Sequence, residues 1–462
     1  MVRVSQIMKA HYHFIGIGGI GMGTLALLLL EDGHTISGSD LKENILTTQL
    51  KKKGATIYLG HNREHIQKAD YIVYSSAIKE DNPEIEEAKK RNIPILHRAK
   101  LLAEVMSSKK AITVAGAHGK TTTSSMVSSL LKAAGFHPTL AVGGIMNNTG
   151  ASADFGQGEY FVAEVDESDG SFLFFNPFYS IVTNMDFEHM EHYQTWENML
   201  SAYAQFLNQT HPLGMQIICG DDINLKLLAL KQGRPILTYG LSDGNDFIAS
   251  DIRFNGLESC FCCYEKGRAL GEIELHIPGQ HNVVNALAVV ALSRLMGIDF
   301  SIAQKSLKDF TGVQRRFTKR GEVNGIMFFD DYAHHPTEIK ATLSAARLLN
   351  ARRVIALFQP HRFSRMKFLQ KEFIESLQNC DYLILTDIYA ASEEPIEGID
   401  ALSILKDLKA SSSKPIFYLK PSEIVHHLGA ILEPGDLVIT LGAGNINQVL
   451  GDLIEQSKER FG

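Results

Sequence analysis

The chain has 462 residues, more than one hydrophobic core usually supports, and a typical domain of about 100–200 residues sets an expectation of three domains. Apolar residues make up 45% and charged residues 21% of it, a globular balance that argues against a disordered chain. The net charge of −7 comes from 52 acidic and 45 basic residues spread along the length, so no segment is basic enough to neutralise a run of phosphates, which argues against a nucleic-acid partner.

Short runs rich in Ile and Val alternate with helix-length amphipathic segments, the pattern of βαβ units and parallel sheets. His11–Ile15 reads as a strand that enters a glycine turn and then a helix over Met22–Leu30, closed by Gly33. Strands at Thr35–Ser37, Tyr71–Tyr74 and Ile93–Leu96 complete a first doubly wound domain, and the polar Ser107–Lys110 junction sets its boundary, giving 1–108. The apolar stretch Leu25–Leu30 runs at once into Glu31 and Asp32, too short to span a bilayer, and no secretory signal precedes it. Five cysteines, an odd count, fit reduced thiols in a cytoplasmic setting.

The second block, 109–314, opens with the strand Ala111–Ala115 and another glycine turn into a helix; Tyr160–Ala163 and Tyr179–Val182 are further strands. Between Asp246 and His276 the period shifts toward two, which predicts antiparallel strands on one edge. The CxCC cluster Cys260, Cys262, Cys263 falls in a predicted hairpin turning at Glu265-Lys266-Gly267 and lacks a second pair of ligands, so it reads as buried small thiols. The third block, 315–462, alternates again, with strands at Ile326–Phe329, Val354–Phe358, Tyr382–Leu385 and Leu437–Leu441.

Gly16-Ile17-Gly18-Gly19-Ile20-Gly21 matches GxGxxG between a strand and a helix, where small residues let backbone amides approach a diphosphate; Asp40 follows the second strand, where an acid can hold a ribose hydroxyl. Alone, this fingerprint suggests a dinucleotide oxidoreductase using NAD. Gly116-Ala117-His118-Gly119-Lys120-Thr121-Thr122 is the sharper signal: amides that wrap triphosphate oxygens, a lysine that neutralises developing charge, and a threonine able to ligate magnesium. It is a shortened P-loop, because Val114 stands where the first glycine of GxxxxGK[ST] would be. A magnesium ion needs hard oxygen ligands, and Glu164, closing an apolar strand, is the first candidate, with His189 the second although a lone histidine there is more often structural. His281, Asn282 and Asn285 open a helix after Pro278 and Gly279; the amides there either read an adenine edge or simply cap the helix. In the third block Asp331, Tyr332, His334 and His335 close one strand and Gln359, His361, Arg362 and Arg365 close what reads as an adjacent one, a crevice whose arginines suit a carboxylate.

The ordered set GIGGIGM, GAHGKTTT, AEVDESDGSF, NMDFEHM, HNVVNAL, RRF, DDYAHHPTEI, FQPHRFSR and GAGNI resembles the Mur ligase family over essentially the whole chain. The resemblance implies an α/β protein of three domains: an N-terminal Rossmann-like domain for a UDP-sugar, a central P-loop ATPase-type domain with a mostly parallel sheet and a small antiparallel part, and a C-terminal Rossmann-like domain for the amino acid. It also implies that the first glycine turn holds UDP and not NAD. Gly18, Gly19, Ile20, Gly21, Asp40, His61, Ser75, Ser76, Ala77 and Ile78 then resemble the UDP-sugar pocket. The phosphate loop Gly116 to Thr122, with His281, Asn282, Asn285 and Asp331, resembles the ATP set. Thr121, Glu164 and His189 resemble magnesium ligands, and Tyr332, His334, His361, Arg362 and Arg365 the amino-acid pocket; Arg316 resembles a linker arginine near the nucleotide phosphates. Lys120, His189, His334 and Arg316 would carry the chemistry.

Two positions depart from the family pattern, Ala117 for Thr or Asn and Glu188 for Asp, while the absence of lysine between Asp186 and Leu225 matches the branch without a carbamylated lysine. The implied reaction is ATP-dependent amide formation, in which the lactyl carboxylate of UDP-N-acetylmuramate becomes an acyl phosphate and L-alanine attacks it, in a protein that is a monomer or weak homodimer. The alternatives are a sibling ligase that adds a preformed tripeptide, an NAD-dependent oxidoreductase, and a sensor with a dead site.

Overall fold

A computed structural model describes residues 9–391 and 393–461. The first domain is a five-stranded parallel sheet of β1 (His11–Ile15), β2 (Thr35–Asp40), β3 (Thr56–Leu59), β4 (Tyr71–Tyr74) and β5 (Ile95–His97), in the order β3-β2-β1-β4-β5. The helix after β1, Ile20–Glu31, has eight buried residues, Met22 to Leu29; a helix apolar nearly all round belongs inside a layer sandwich. Helix Pro83–Arg91 begins with Asn82 capping the Glu84 amide and Pro83 in the first turn, and ends at Asn92 in the left-handed region, the cap chemistry expected at both ends.

The second domain is built on a ten-stranded sheet of β6 (Lys110–Ala115), β7 (Thr139–Ala141), β8 (Ala153–Asp154), β9 (Tyr160–Glu164), β10 (Tyr179–Val182), β11 (Met215–Cys219), β12 (Ile236–Gly240), β13 (Phe247–Asn255), β14 (Glu258–Glu265) and β15 (Arg268–Leu275). Its order is β15-β14-β13-β12-β11-β10-β6-β9-β7-β8. β6 lies near the centre between β10 and β9, parallel to both. The predicted turn at Lys266-Gly267 joins β14 to β15, with both residues at positive φ, the backbone a two-residue hairpin requires. Of the three clustered cysteines expected to be buried, only Cys263 is; Cys260 and Cys262 are half-exposed, because alternate residues of β14 face opposite sides of the sheet.

The third domain is a six-stranded sheet of β16 (Thr318–Val323), β17 (Ile326–Asp331), β18 (Arg353–Phe358), β19 (Tyr382–Leu385), β20 (Ile416–Tyr418) and β21 (Asp436–Leu441), in the order β16-β17-β21-β18-β19-β20. Only β16 runs antiparallel, against β17. β17 and β18 are therefore not neighbours, contrary to the sequence reading: β21, the last strand of the chain, lies between them and pairs with both. All six residues of β21 are buried, as a strand covered on both faces must be.

The chain divides into two compact units. One runs to Ser250 and takes in Cys262–Ile273 and Val284–Phe310; the other comprises Asp251–Phe261, Glu274–Val283 and the chain from Thr311 onward. The first domain and most of the second share the first unit because one apolar cluster runs through both, from Leu25 and Leu28 to Phe161, Phe172 and Tyr203, and the buried Thr24 and Ser152 hydroxyls meet at 2.8 Å. Among the described residues no helix is long and apolar enough to cross a membrane.

Candidate functional site

In the first domain, the residues expected to form the sugar-nucleotide pocket follow the carboxyl ends of four strands that lie side by side. Gly18, Gly19, Ile20 and Gly21 follow β1, Asp40 ends β2, His61 follows β3, and Ser75 to Ile78 follow β4. The strand order reverses between β1 and β4, and open α/β sheets bind ligands at such a switch point. Gly16 takes φ 77°, and the next helix starts at Gly19 without a side-chain cap, leaving its first amides available. The Asp40 carboxylate accepts the Gly18 amide at 2.8 Å, and Asn44 donates to the Gly18 carbonyl at 2.8 Å, so Asp40 braces the glycine turn itself. Arg98 approaches the same turn: a Cβ on Gly21 would come within 2.6 Å of its Nη1.

In the second domain β6 delivers the chain into Gly116, at φ 125°, and Gly119, at φ 81°, and the helix Lys120–Ala133 begins without a side-chain cap. The loop is held from behind by the end of β10. Asn184 accepts the His118 amide at 2.9 Å through Oδ1 and donates to the His118 carbonyl at 3.1 Å, and Thr183 Oγ1 donates to that carbonyl at 2.6 Å. A Cβ on Gly116 would lie 2.2 Å from Thr183 Oγ1, and one on Gly119 would lie 2.6 Å from Asn285 Oδ1. Both glycines are therefore needed for close approach as well as for their φ. His118 Nε2 lies 2.8 Å from Asp186 Oδ2.

Lys120 Nζ donates to the Gly116 carbonyl at 2.6 Å, to the Ala117 carbonyl at 3.1 Å and to Glu167 Oε1 at 2.9 Å. Burial pulls its ammonium down, but Glu167, Asp166 and Glu164 outweigh that and hold it above its ordinary value. Glu164 ends β9 and accepts the Gly143 amide at 2.9 Å. His189, at φ 60°, lies 3.6 Å from Glu167 and 3.7 Å from Glu188; burial lowers its pKa, but these carboxylates with Glu191 raise it to about 9. Glu167 is the residue the sequence reading missed. It is 1% exposed, touches Lys120 and His189, and keeps its Oε2 buried without a hydrogen-bond partner. Its only sequence signal was its place in the acidic AEVDESDG run. Two residues on, Asp169 takes hydrogen bonds from Ser171 and Ser76 and lies 3.8 Å from His97, linking this loop to the first domain.

Thr121 and Glu164 offer hard oxygens and Glu167 keeps a buried oxygen without a hydrogen-bond partner, the donor chemistry that a divalent cation of the magnesium type takes. Asn285 and Asn282 are both 6% exposed. Asn282 donates to the Pro278 carbonyl at 2.7 Å, so its amide is engaged at least in part in starting helix Gln280–Leu295, and His281 beside it is exposed.

In the second unit, the side chains following β17 and β18 converge despite the intervening strand. The His334 and His361 rings are 5.4 Å apart, and Tyr332 packs edge-on to His334 at 5.1 Å. His334 Nδ1 donates to the Tyr332 carbonyl at 2.9 Å, which places the lone pair of the neutral ring on Nε2. Arg365 Nη1 donates to His361 Nδ1 at 3.0 Å, and His361 stacks on Tyr389 at 5.7 Å. Arg362, at φ 68°, starts helix Phe363–Ser376 and lies 4.0 Å from Glu393. Arg316 sits between Arg315 and Phe317, both at positive φ; it packs over the Tyr332 ring and lies 3.5 Å from Glu338. Asp331 accepts the Phe317 and Ala333 amides, each at 2.7 Å. Burial raises its carboxyl, Arg316 and those amides oppose this, and it settles at about 7. Glu338 is a second residue the sequence reading passed over: with His335 it forms a capping box and it accepts the His334 amide at 3.1 Å.

Two glycine turns, each feeding an uncapped helix from a parallel strand, with a lysine and carboxylates behind the second, define a multidomain α/β nucleotide-binding protein. Three family descriptions match in succession: "Mur ligase family, catalytic domain" over residues 11–110, "Mur ligase middle domain" over 114–293, and "Mur ligase, glutamate ligase domain" over 315–444. The chain belongs to the Mur ligase family. It is 46% identical over 447 residues to the UDP-N-acetylmuramate–L-alanine ligase of Geotalea uraniireducens, covering 96% of this chain and 98% of that protein. It is 44% identical to the ligase of the same name from Pelotomaculum thermopropionicum, covering 98% of each. Among solved structures, the UDP-N-acetylmuramate-alanine ligase of Thermotoga maritima superposes with a TM-score of 0.84 at 28% identity, covering 98% of this chain and 100% of that one. A murein peptide ligase of Psychrobacter arcticus gives 0.74 at 27% identity, covering 97% and 99%.

Proposed function

We propose that the protein joins L-alanine to the lactyl carboxylate of UDP-N-acetylmuramate at the expense of ATP, a step of peptidoglycan precursor synthesis. The observation that carries this is the phosphate loop around Lys120, backed by Glu164 and Glu167, in a chain nearly half identical, end to end, to ligases named for that reaction. The three-domain division at 1–108, 109–314 and 315–462 assigns the sugar nucleotide, ATP and the amino acid to successive domains. Five free cysteines support a cytoplasmic location.

A carboxylate is a poor acylating agent until it carries a leaving group. Attack of the lactyl carboxylate on the γ-phosphate gives an acyl phosphate and ADP; attack of the alanine amine then forms the amide and expels phosphate. Lys120 and the amides of Gly116 to Thr122 stabilise the charge that builds on the transferring phosphoryl group. Thr121, Glu164 and, once its ring has given up a proton, His189 would hold Mg²⁺, which when bound neutralises phosphate charge. Asn282, Asn285, His281 and Asp331 are assigned to the nucleotide, and Arg316 to its phosphates. Tyr332, His361, Arg362 and Arg365 bind the alanine carboxylate, and His334, with the lone pair on Nε2, takes the amine proton.

Phosphate release measured with ATP, Mg²⁺, UDP-N-acetylmuramate and either L-alanine or a preformed peptide tests the reading. Release with alanine supports it; release only with the peptide makes the protein a peptide-adding ligase, and no release with either overturns it.

A further inference from the structure

Beneath the first glycine turn lies a buried polar cluster that neither the family motifs nor the reaction uses. Its centre is Glu84, 0% exposed, at the start of helix Pro83–Arg91. Ser39 Oγ donates to Glu84 Oε2 at 2.6 Å, His65 Nδ1 lies 2.8 Å from Oε1, and the Asn62 amide reaches Oε1 at 3.3 Å. His13, also fully buried, lies 3.6 Å away and meets Ser37 through Nδ1. His11 reaches the same Ser37 hydroxyl, and the Tyr58 ring stacks on His65 at 4.2 Å. Burial alone would raise the Glu84 carboxyl, but hydrogen bonds from Ser39 and His65 and the nearby His13 ring hold it down at about 2, so it is a fixed negative charge.

That charge acts on one residue of the expected sugar-nucleotide pocket. His61 Nδ1 lies 2.9 Å from Ser39 Oγ and 3.3 Å from Glu84 Oε2. The Ser39 proton is committed to Glu84, so toward His61 the Ser39 oxygen can only accept, and Glu84 can only accept; both require a proton on His61 Nδ1. The neutral ring then carries its lone pair on Nε2. The Ser39 carbonyl also accepts the Gly16 and Ile17 amides at 2.8 and 3.0 Å, so the same residue fixes the glycine turn and the imidazole.

We propose that Glu84 is a positioning residue of the nucleotide pocket: with Ser39 it locks the His61 tautomer and orientation so that Nε2 accepts an N–H or O–H of the uridine. This rests on the first domain binding a uridine nucleotide. The arrangement is that of a second group fixing the working nitrogen of a histidine through the other one.

The test is a KM-against-kcat comparison on the full chain with Glu84→Gln, together with calorimetric titration of UDP. Glu84→Gln is expected to raise the UDP-N-acetylmuramate KM and the UDP Kd about tenfold, the worth of one well-placed hydrogen bond, with kcat kept at saturating sugar nucleotide and the ATP KM unmoved. His61→Ala should weaken UDP by a similar factor, and the double variant no further than His61→Ala alone. If Glu84→Gln fails to fold, Ser39→Ala breaks the same Nδ1 contact and the same change is expected of it. Additive losses in the double variant, or UDP affinity unchanged in Glu84→Gln (or, failing that, in Ser39→Ala), overturn the proposal. Wild-type protein that binds no UDP overturns the pocket reading beneath it.

Discussion

One carboxylate oxygen of Glu167 accepts a 2.9 Å hydrogen bond from Lys120 Nζ, while its other oxygen is buried without a partner. A buried acceptor left unmatched costs about 1–3 kcal/mol, so the carboxylate is poised to take a further ligand. The Glu167→Gln variant is expected to lower kcat/KM for ATP by about 100-fold, since it removes the counter-charge to a buried ammonium. It should also weaken the stabilisation that ADP with Mg²⁺ gives in thermal melts. Unchanged melts and rates would make Glu167 a bystander.

Lys120→Met keeps the length of the side chain and removes its charge. Phosphate release is expected to fall by about three orders of magnitude, in line with the loss of a preorganised charge at a transferring phosphoryl group. UDP titrated into the variant should bind as it does to wild type, because the glycine turn at Gly18 lies in another domain. A variant with near-normal turnover would remove the phosphate loop from the mechanism.

Asp331 carries a pH signature. Its carboxyl holds a proton to about 7 in the fold, against an ordinary value of 3.8. Between those values the unfolded chain binds fewer protons than the folded one, so this residue's contribution to stability falls as pH rises. The melting temperature of Asp331→Asn minus that of wild type should therefore climb from pH 4 to pH 7 and then level off. A difference that is flat or falls across that range would contradict the assignment.

His334→Ala tests the proton acceptor. Turnover at saturating alanine is expected to drop by about 100-fold, within the usual range for general-base catalysis, and the loss should shrink as rising pH supplies more free amine. Turnover equal to wild type across the pH range would rule the role out.

Much of this was legible in the sequence, for identifiable reasons. Central strands such as Val354–Phe358 read clearly because burial on both faces leaves a nearly unbroken apolar run. One edge strand did not: Thr318–Val323 is polar, carries a register shift at Lys319/Gly321, and follows no period. Motif residues were found where a glycine or a strand end marked them. Glu167 and Glu84 were not, because a carboxylate's burial and partners are set by tertiary packing. The adjacency of the two third-domain strands was misread for a related cause, since nothing local reveals which later segment will pair between them.

That late segment has a consequence for assembly. β1 to β5 can pair as soon as the first 100 or so residues leave the ribosome, in keeping with domains folding one by one from the N-terminus during synthesis. The third sheet cannot close until Asp436–Leu441 arrives, because that strand separates and joins β17 and β18. Proteolytic clipping upstream of Asp436 would leave a fragment that keeps the sequence for both glycine turns yet lacks the middle strand on which the Tyr332 and His361 clusters depend.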